Sequence, residues 1–121
     1  PAVSLFYALH VALDLMLAEG QAAIHERHQQ AGEWVRGQVQ ELGLALFADP
    51  RYASNVVTAV LPPSGITNDQ IRTAMRERYN IILAGGQGDL KTKIFRIGHL
   101  GLFTRADLQA VIDGLRDVIN S

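Results

Sequence analysis

The segment from Leu5 to Leu17 limits what this chain can fold into more than any other part of it. Its polar positions, Ser4, Tyr7, His10 and Asp14, recur at steps of three and four and make one narrow helical stripe. Leu5, Phe6, Leu9, Val11, Leu13, Leu15, Met16 and Leu17 occupy most of the remaining circumference. A helix that is apolar nearly all round is normally buried on more than one side. A chain of 121 residues supplies one domain and one core. It has too little mass to cover such a helix from both sides, so a covering partner is expected, either more of the same protein or a second copy. The run is interrupted by polar residues and falls short of the roughly 20 apolar residues a membrane span needs. Residue 1 is proline and no signal-peptide pattern follows it, which points to a chain read from within a longer protein.

The remaining periodicities sketch a small mixed domain. Gly20 marks a break. A second helix follows with an apolar stripe at Ile24, His28, Ala31, Val35, Val39 and Leu42, stopped by Gly43. Leu44, Leu46 and Phe47 form a short extended piece ended by Asp49-Pro50. Val56 to Leu61 is β-branched and bounded by Asn55 and by Pro62-Pro63-Ser64-Gly65, as a strand is. Thr67 with Gln70 spells a capping box, flanked by Ile66 and Ile71 as a hydrophobic staple, and predicts a helix to about Tyr79. Ile81 to Ala84 and Lys93 to Gly98 read as strands on either side of a polar loop, with Arg96 and Ile94 on one face and Phe95 and Ile97 on the other. Thr104, Asp107 and the Phe103–Leu108 pair repeat the cap design before a last helix carrying Leu108, Val111, Ile112, Leu115 and Ile119. The predicted class is α+β, a small, mainly antiparallel sheet packed with helices in the order α-α-β-α-β-β-α, behind a long N-terminal helix.

Charge and composition exclude several functions. The formal net charge is −1, and the basic residues are dispersed, so nothing favours a nucleic acid or an anionic membrane as partner. With no cysteine there are no disulfides, thiolate metal sites or thiol nucleophiles, a pattern that suits a cytoplasmic protein.

Arg96 carries the strongest chemical signal. It stands in Ile94-Phe95-Arg96-Ile97-Gly98, an otherwise apolar strand in which an unpaired guanidinium is costly. Its planar fork suits a carboxylate or phosphate, with bidentate pairing to a carboxylate. The competing reading is an edge arginine facing solvent or paired with an internal Asp. Gly85-Gly86-Gln87-Gly88 matches neither the dinucleotide nor the Walker pattern and opens no helix, so it reads as a flexible loop between strands. His25 and His28 are spaced three apart without a third ligand, and no metal site is expected. His10 and His99 show no partner and read as packing or surface residues. Lys91 and Lys93 flank the loop in polar surroundings and read as solvated rather than as Schiff-base lysines.

Two segments carry a resemblance. Tyr79-Asn80-Ile81-Ile82-Leu83-Ala84-Gly85-Gly86-Gln87-Gly88, followed by Lys93-Ile94-Phe95-Arg96-Ile97-Gly98-His99-Leu100-Gly101, resembles the C-terminal small domain of class V aminotransferases. The nearest group in appearance is the alanine–glyoxylate, serine–pyruvate and serine–glyoxylate enzymes. Pro1-Ala2-Val3-Ser4-Leu5 is similar to the start of the helix linking the two domains in that family, and Ala18-Glu19-Gly20, His28 and Leu42-Gly43-Leu44 also fall where relatives have similar residues. The resemblance implies one domain, 1–121, with 1–20 as interdomain helix and 21–121 as domain body. It implies a parent that works as a homodimer with pyridoxal 5'-phosphate, moving an amino group between a small amino acid such as alanine or serine and a 2-oxo acid such as glyoxylate or pyruvate. In that picture Arg96 binds the substrate carboxylate. The cofactor lysine and phosphate-binding residues belong to the large catalytic domain, so this chain alone has no catalytic residue and binds no cofactor. Thr92 departs from the glycine of many relatives. The absent cysteine argues against the desulfurase branch of the same fold.

Two other functions compete with that one. Arg96 and its loop could serve a free-standing regulatory module for small carboxylates, and the apolar first helix could make the chain a structural dimerisation unit.

Overall fold

The computed structural model describes residues 1–121, the whole chain. Its elements are α1 (Val3–Glu19), α2 (Gln21–Glu41), β1 (Ala45–Leu46), β2 (Val57–Leu61), α3 (Asn68–Tyr79), β3 (Ala84–Gly85), β4 (Phe95–Gly98) and α4 (Arg105–Asn120). Short 3-10 turns lie at Pro50–Tyr52 and Gly88–Leu90. The four strands form one antiparallel sheet in the order β1-β2-β4-β3. The fold is therefore α+β, as the patterning predicts, and the extended piece after Gly43 pairs with β2 as an additional short strand.

Helices α2, α3 and α4 pack on one sheet face. Their stripes meet Val60, Phe95 and Ile97 in a single core that includes Val35, Val39, Ile71, Met75, Ile112 and Leu115. The period of two does the sorting: Val60 lies opposite Phe95 and Thr58 opposite Ile97, while Ala59, Arg96 and Ala84 line up across three strands on the reverse face. Both capping boxes form. Thr67 accepts from the Gln70 amide, and Thr104 from the Asp107 amide, with each reciprocal bond present. These fix where α3 and α4 begin, each cap being worth about 1 kcal/mol.

Helix α1 is the exception to this packing. Not one of its residues is buried; Leu5 is 68% and Leu17 80% exposed. Gly20, at φ +88°, turns the chain so that α1 and α2 meet at 86°. The bend is braced from the side. Arg27 donates from Nε and Nη2 to the two carboxylate oxygens of Glu19 (2.5 and 2.9 Å) and from Nη1 to the Gly101 carbonyl (2.8 Å), with its guanidinium 4.9 Å from the Phe103 ring centroid. The Arg27 hydrogen bonds hold the Glu19 carboxyl below its ordinary range. No single helix is long and apolar enough to cross a membrane.

Three expectations are corrected by the fold. The strand expected over Ile81–Ala84 is displaced: Asn80 caps α3 in the left-handed region, the Ile81 amide returns to Met75 O, and only Ala84–Gly85 joins the ladder. Gly85 thus belongs to a strand rather than to the loop. The ladder of β4 starts at Phe95 instead of Lys93, because the Lys93 and Ile94 amides bond back to Leu90 O. His99, read as lacking partners, is fully buried and has two.

Candidate functional site

Arg96 sits in the middle of β4 on the sheet face away from the helices, between Ala59 of β2 and Ala84 of β3. Two alanines leave space for a long side chain to lie across the sheet. The guanidinium is half-buried, and its Nε donates to the Gly85 carbonyl at 2.8 Å. No carboxylate of this chain pairs with it: the ion pairs of the domain are His10–Asp14, Arg27–Glu19, Arg51–Asp49, Arg72–Asp69, Arg78–Asp117 and Arg116–Asp113. Of the two readings open from sequence, pairing with an internal Asp is removed. What remains is an oriented guanidinium whose two terminal nitrogens have no protein acceptor, and no buried side-chain nitrogen or oxygen in the chain lacks a partner. Such a group can receive a planar anion at its outer edge.

The loop beside it is built around its glycines. Gly86 comes so close to Leu90 that a Cβ there would stand 2.0 Å from the Leu90 carbonyl oxygen. Gly88 adopts φ +54°, which glycine tolerates best. Gln87 is exposed, and the 3-10 turn from Gly88 returns the chain to β4 through bonds from Leu90 to Gln87 and from Lys91 to Gly88. Ile94 is buried apart from the main core, beneath Gly86.

The two lysines do not fit a Schiff-base role, since both Lys91 and Lys93 are exposed and no neighbour desolvates them. Neither lysine is therefore placed as a Schiff-base anchor for a pyridoxal cofactor. His25 and His28 do not converge. His28 donates from Nδ1 to Ile24 O (2.7 Å) and accepts at Nε2 from the Gly101 amide (3.1 Å), so both ring nitrogens brace the backbone. No three His, Cys, Asp or Glu side chains are grouped to hold a metal.

His99 is the functional-looking residue that sequence reasoning undervalued. Its Nδ1–H donates to Asn55 O (2.9 Å), and its Nε2 accepts from the Thr58 hydroxyl (2.8 Å). Burial is the main cause that pushes its imidazole below the usual histidine range. The partners lie 44 and 41 residues away in sequence, so no local signal announces them. The arrangement ties the end of β4 to β2 and has no open side for a substrate.

Sheet order, helix placement and a half-buried arginine on the reverse face together make an α+β domain with one oriented guanidinium. No family model matches the chain. Among solved structures, pyridoxamine–pyruvate aminotransferase from Mesorhizobium loti superposes with a TM-score of 0.94 at 35% identity, covering 99% of this chain and 31% of that one. Serine–glyoxylate aminotransferase of Hyphomicrobium methylovorum is 39% identical over 84% of the chain and 25% of its own length. A Synechococcus protein named soluble hydrogenase, small subunit, is 44% identical over 98% of the chain and 31% of its own length. The chain spans about a third or less of the relatives it matches. It is a small portion of class V aminotransferase-like proteins, corresponding to their C-terminal domain.

Proposed function

We propose that this chain is the substrate-carboxylate arm of a pyridoxal 5'-phosphate-dependent transaminase. Residues 1–20 act as the interdomain helix and residues 21–121 as the small-domain body. The observation that carries the proposal is Arg96, held by Gly85 O and left without an internal carboxylate. A 2-amino or 2-oxo acid brings the missing partner. A bidentate pair fixes its position, which converts a free encounter into an oriented one. The glycine loop beside Arg96 lets backbone approach the substrate closely, and movement of the small domain against the large one excludes water. Small amino donors such as alanine or serine, and acceptors such as glyoxylate or pyruvate, are the substrates favoured by the names of the relatives.

The cofactor lysine belongs to the large domain, which leaves this portion inert by itself. The same reading gives α1 its covering partner: its apolar circumference packs against the large domain and the neighbouring subunit of a cytoplasmic homodimer. A groove of about 410 Å³ at the bend, lined by Leu15, Met16, Ile24, Leu100 and Leu102, continues that apolar surface. The hydrogenase name of one relative finds no support in these residues, since they contain no cysteine and no grouped metal ligands.

The test is a graft. The chain replaces the matching portion of a serine–glyoxylate aminotransferase, and transamination to glyoxylate is measured. Turnover is expected from the graft, while the isolated chain with pyridoxal 5'-phosphate and borohydride shows no specific lysine adduct. A specific adduct on Lys91 or Lys93, with turnover by the isolated chain, contradicts the proposal.

A further inference from the structure

We infer that Asn68 and Arg72, one turn apart on α3, are positioning residues that hold the guanidinium of Arg96 in place through the backbone leading into β4 and the backbone leading into β3. The role assigned to Arg96 itself rests on the function proposed above. The holding geometry stands independently of it.

The strand β3 is only two residues long, so the carbonyls just before β3 and β4 are poorly served by the sheet ladder. Helix α3 supplies the missing donors. Asn68, 1% exposed, donates both amide hydrogens, one to Lys91 O (2.9 Å) and one to Ile94 O (2.8 Å). Arg72 donates from Nε to Leu83 O (3.1 Å) and from Nη1 to the Asp69 carboxylate (2.8 Å). A spacing of four puts both side chains on one helix face. Asn68 therefore takes the backbone that leads into β4, and Arg72 takes Leu83, the residue that leads into β3.

The Arg72 side chain also meets Gly85, the second residue of β3. Arg72 is packed directly over it, its Nη1 standing 3.0 Å from where a Cβ of Gly85 would lie. The carbonyl of the same glycine accepts from Arg96 Nε. Two guanidiniums thus address one glycine: Arg72 fixes where its backbone lies, and that backbone fixes the plane of Arg96. The Asp69–Arg72 pair is exposed and adds little stability of its own. Its use is orientational, since Asp69 holds the fork so that Nε meets Leu83 O. A merely structural account of Arg72 assigns it only weak surface pairing. It does not connect Arg72 to Arg96.

The experiment is arginine side-chain NMR on the ¹⁵N-labelled chain. The Nε–H signal of Arg96 is assigned by its loss in Arg96→Lys, and its exchange with water is compared between variants. In Arg72→Ala we expect that signal to exchange about ten-fold faster or more, while amide protection in α4 stays unchanged. Arg72→Lys, which can meet Asp69 but lacks the fork, should restore little of the protection. Asp69→Asn, at an exposed position, should give an intermediate effect and serves if Arg72→Ala does not fold. Arg116→Ala, which removes another exposed arginine paired three residues back, should leave the signal unmoved. Unchanged Arg96 exchange in the folded Arg72 and Asp69 variants would overturn the inference. Failure of the carboxylate role shows elsewhere, as a Michaelis constant in the graft that does not respond to Arg96→Lys.

Discussion

Arg96 and Gly85 are joined by a single hydrogen bond, from the guanidinium Nε to the glycine carbonyl at 2.8 Å, across neighbouring strands. That bond spends one donor and leaves the outer edge of the fork free. It also makes the direction of the Arg96 side chain depend on where a two-residue strand is placed.

The loop glycine Gly86 responds differently from Gly37, one of two glycines in α2. Gly86→Ala puts a methyl against Leu90 O and should destabilise the domain by about 2 kcal/mol or more. Gly37→Ala meets nothing within 4 Å at an ordinary φ in a helix interior, and should stabilise by about 0.5–1 kcal/mol. Urea midpoints that move in the same direction for both would contradict the packing described for Gly86.

His99 gives stability a specific pH dependence. Its folded pKa lies below the ordinary histidine value because of burial, first, which outweighs the opposing hydrogen bond to Asn55 O, with the nearby Arg36 guanidinium adding a smaller lowering. Above that value the ring is neutral in both folded and unfolded chains, and its contribution is complete. As pH falls below it, the unfolded chain takes up the proton first, so stability is lost progressively toward the lower folded value. Urea unfolding at about pH 7.5 and about pH 5.5 should show this loss in the wild type and a shallower dependence in His99→Gln. Equal dependence in the two proteins would remove His99 as the cause.

Helix α1 should make the isolated chain self-associate, because its apolar side chains are left open to water. Sedimentation velocity is expected to show concentration-dependent assembly. The triple variant Leu5→Gln, Leu9→Gln, Leu13→Gln should be monomeric with an unchanged unfolding midpoint, since α1 contributes no buried residue. A wild-type chain that stays monomeric at all concentrations argues against the role given to this helix.

The caps are a further quantitative check. Thr67→Ala removes the acceptor for the Gln70 amide and should cost about 1 kcal/mol, read from chemical denaturation. No change would mean that α3 is fixed by its tertiary contacts alone.

Helices, caps and core stripes were legible in the sequence because their signals are local: Thr67 and Gln70 lie three apart, and Val35 and Val39 lie four apart. The over-apolar helix was legible for the same reason, and none of its residues is buried. Strand limits were less so. Whether Ile81–Leu83 join a ladder is decided by Asn80 turning left-handed and by Arg72 taking Leu83 O, neither of which leaves a periodic trace. Arg96 stood out as a charge in an apolar strand, but its tether to Gly85 depends on cross-strand register. The partners of His99 and the reach of Asn68 to Lys91 and Ile94 are tertiary contacts across 23 to 44 residues. No pattern in one sequence encodes such distances.

The most direct test of the central claim is the Michaelis constant for glyoxylate of the grafted aminotransferase carrying Arg96→Lys. Losing a charge-assisted bidentate pair of about 1.5–3 kcal/mol should lower kcat/KM by roughly ten- to a hundred-fold, chiefly through KM, with the fold intact by circular dichroism. A graft whose KM and kcat are both unchanged by Arg96→Lys would contradict the assignment of Arg96 as the carboxylate-binding residue.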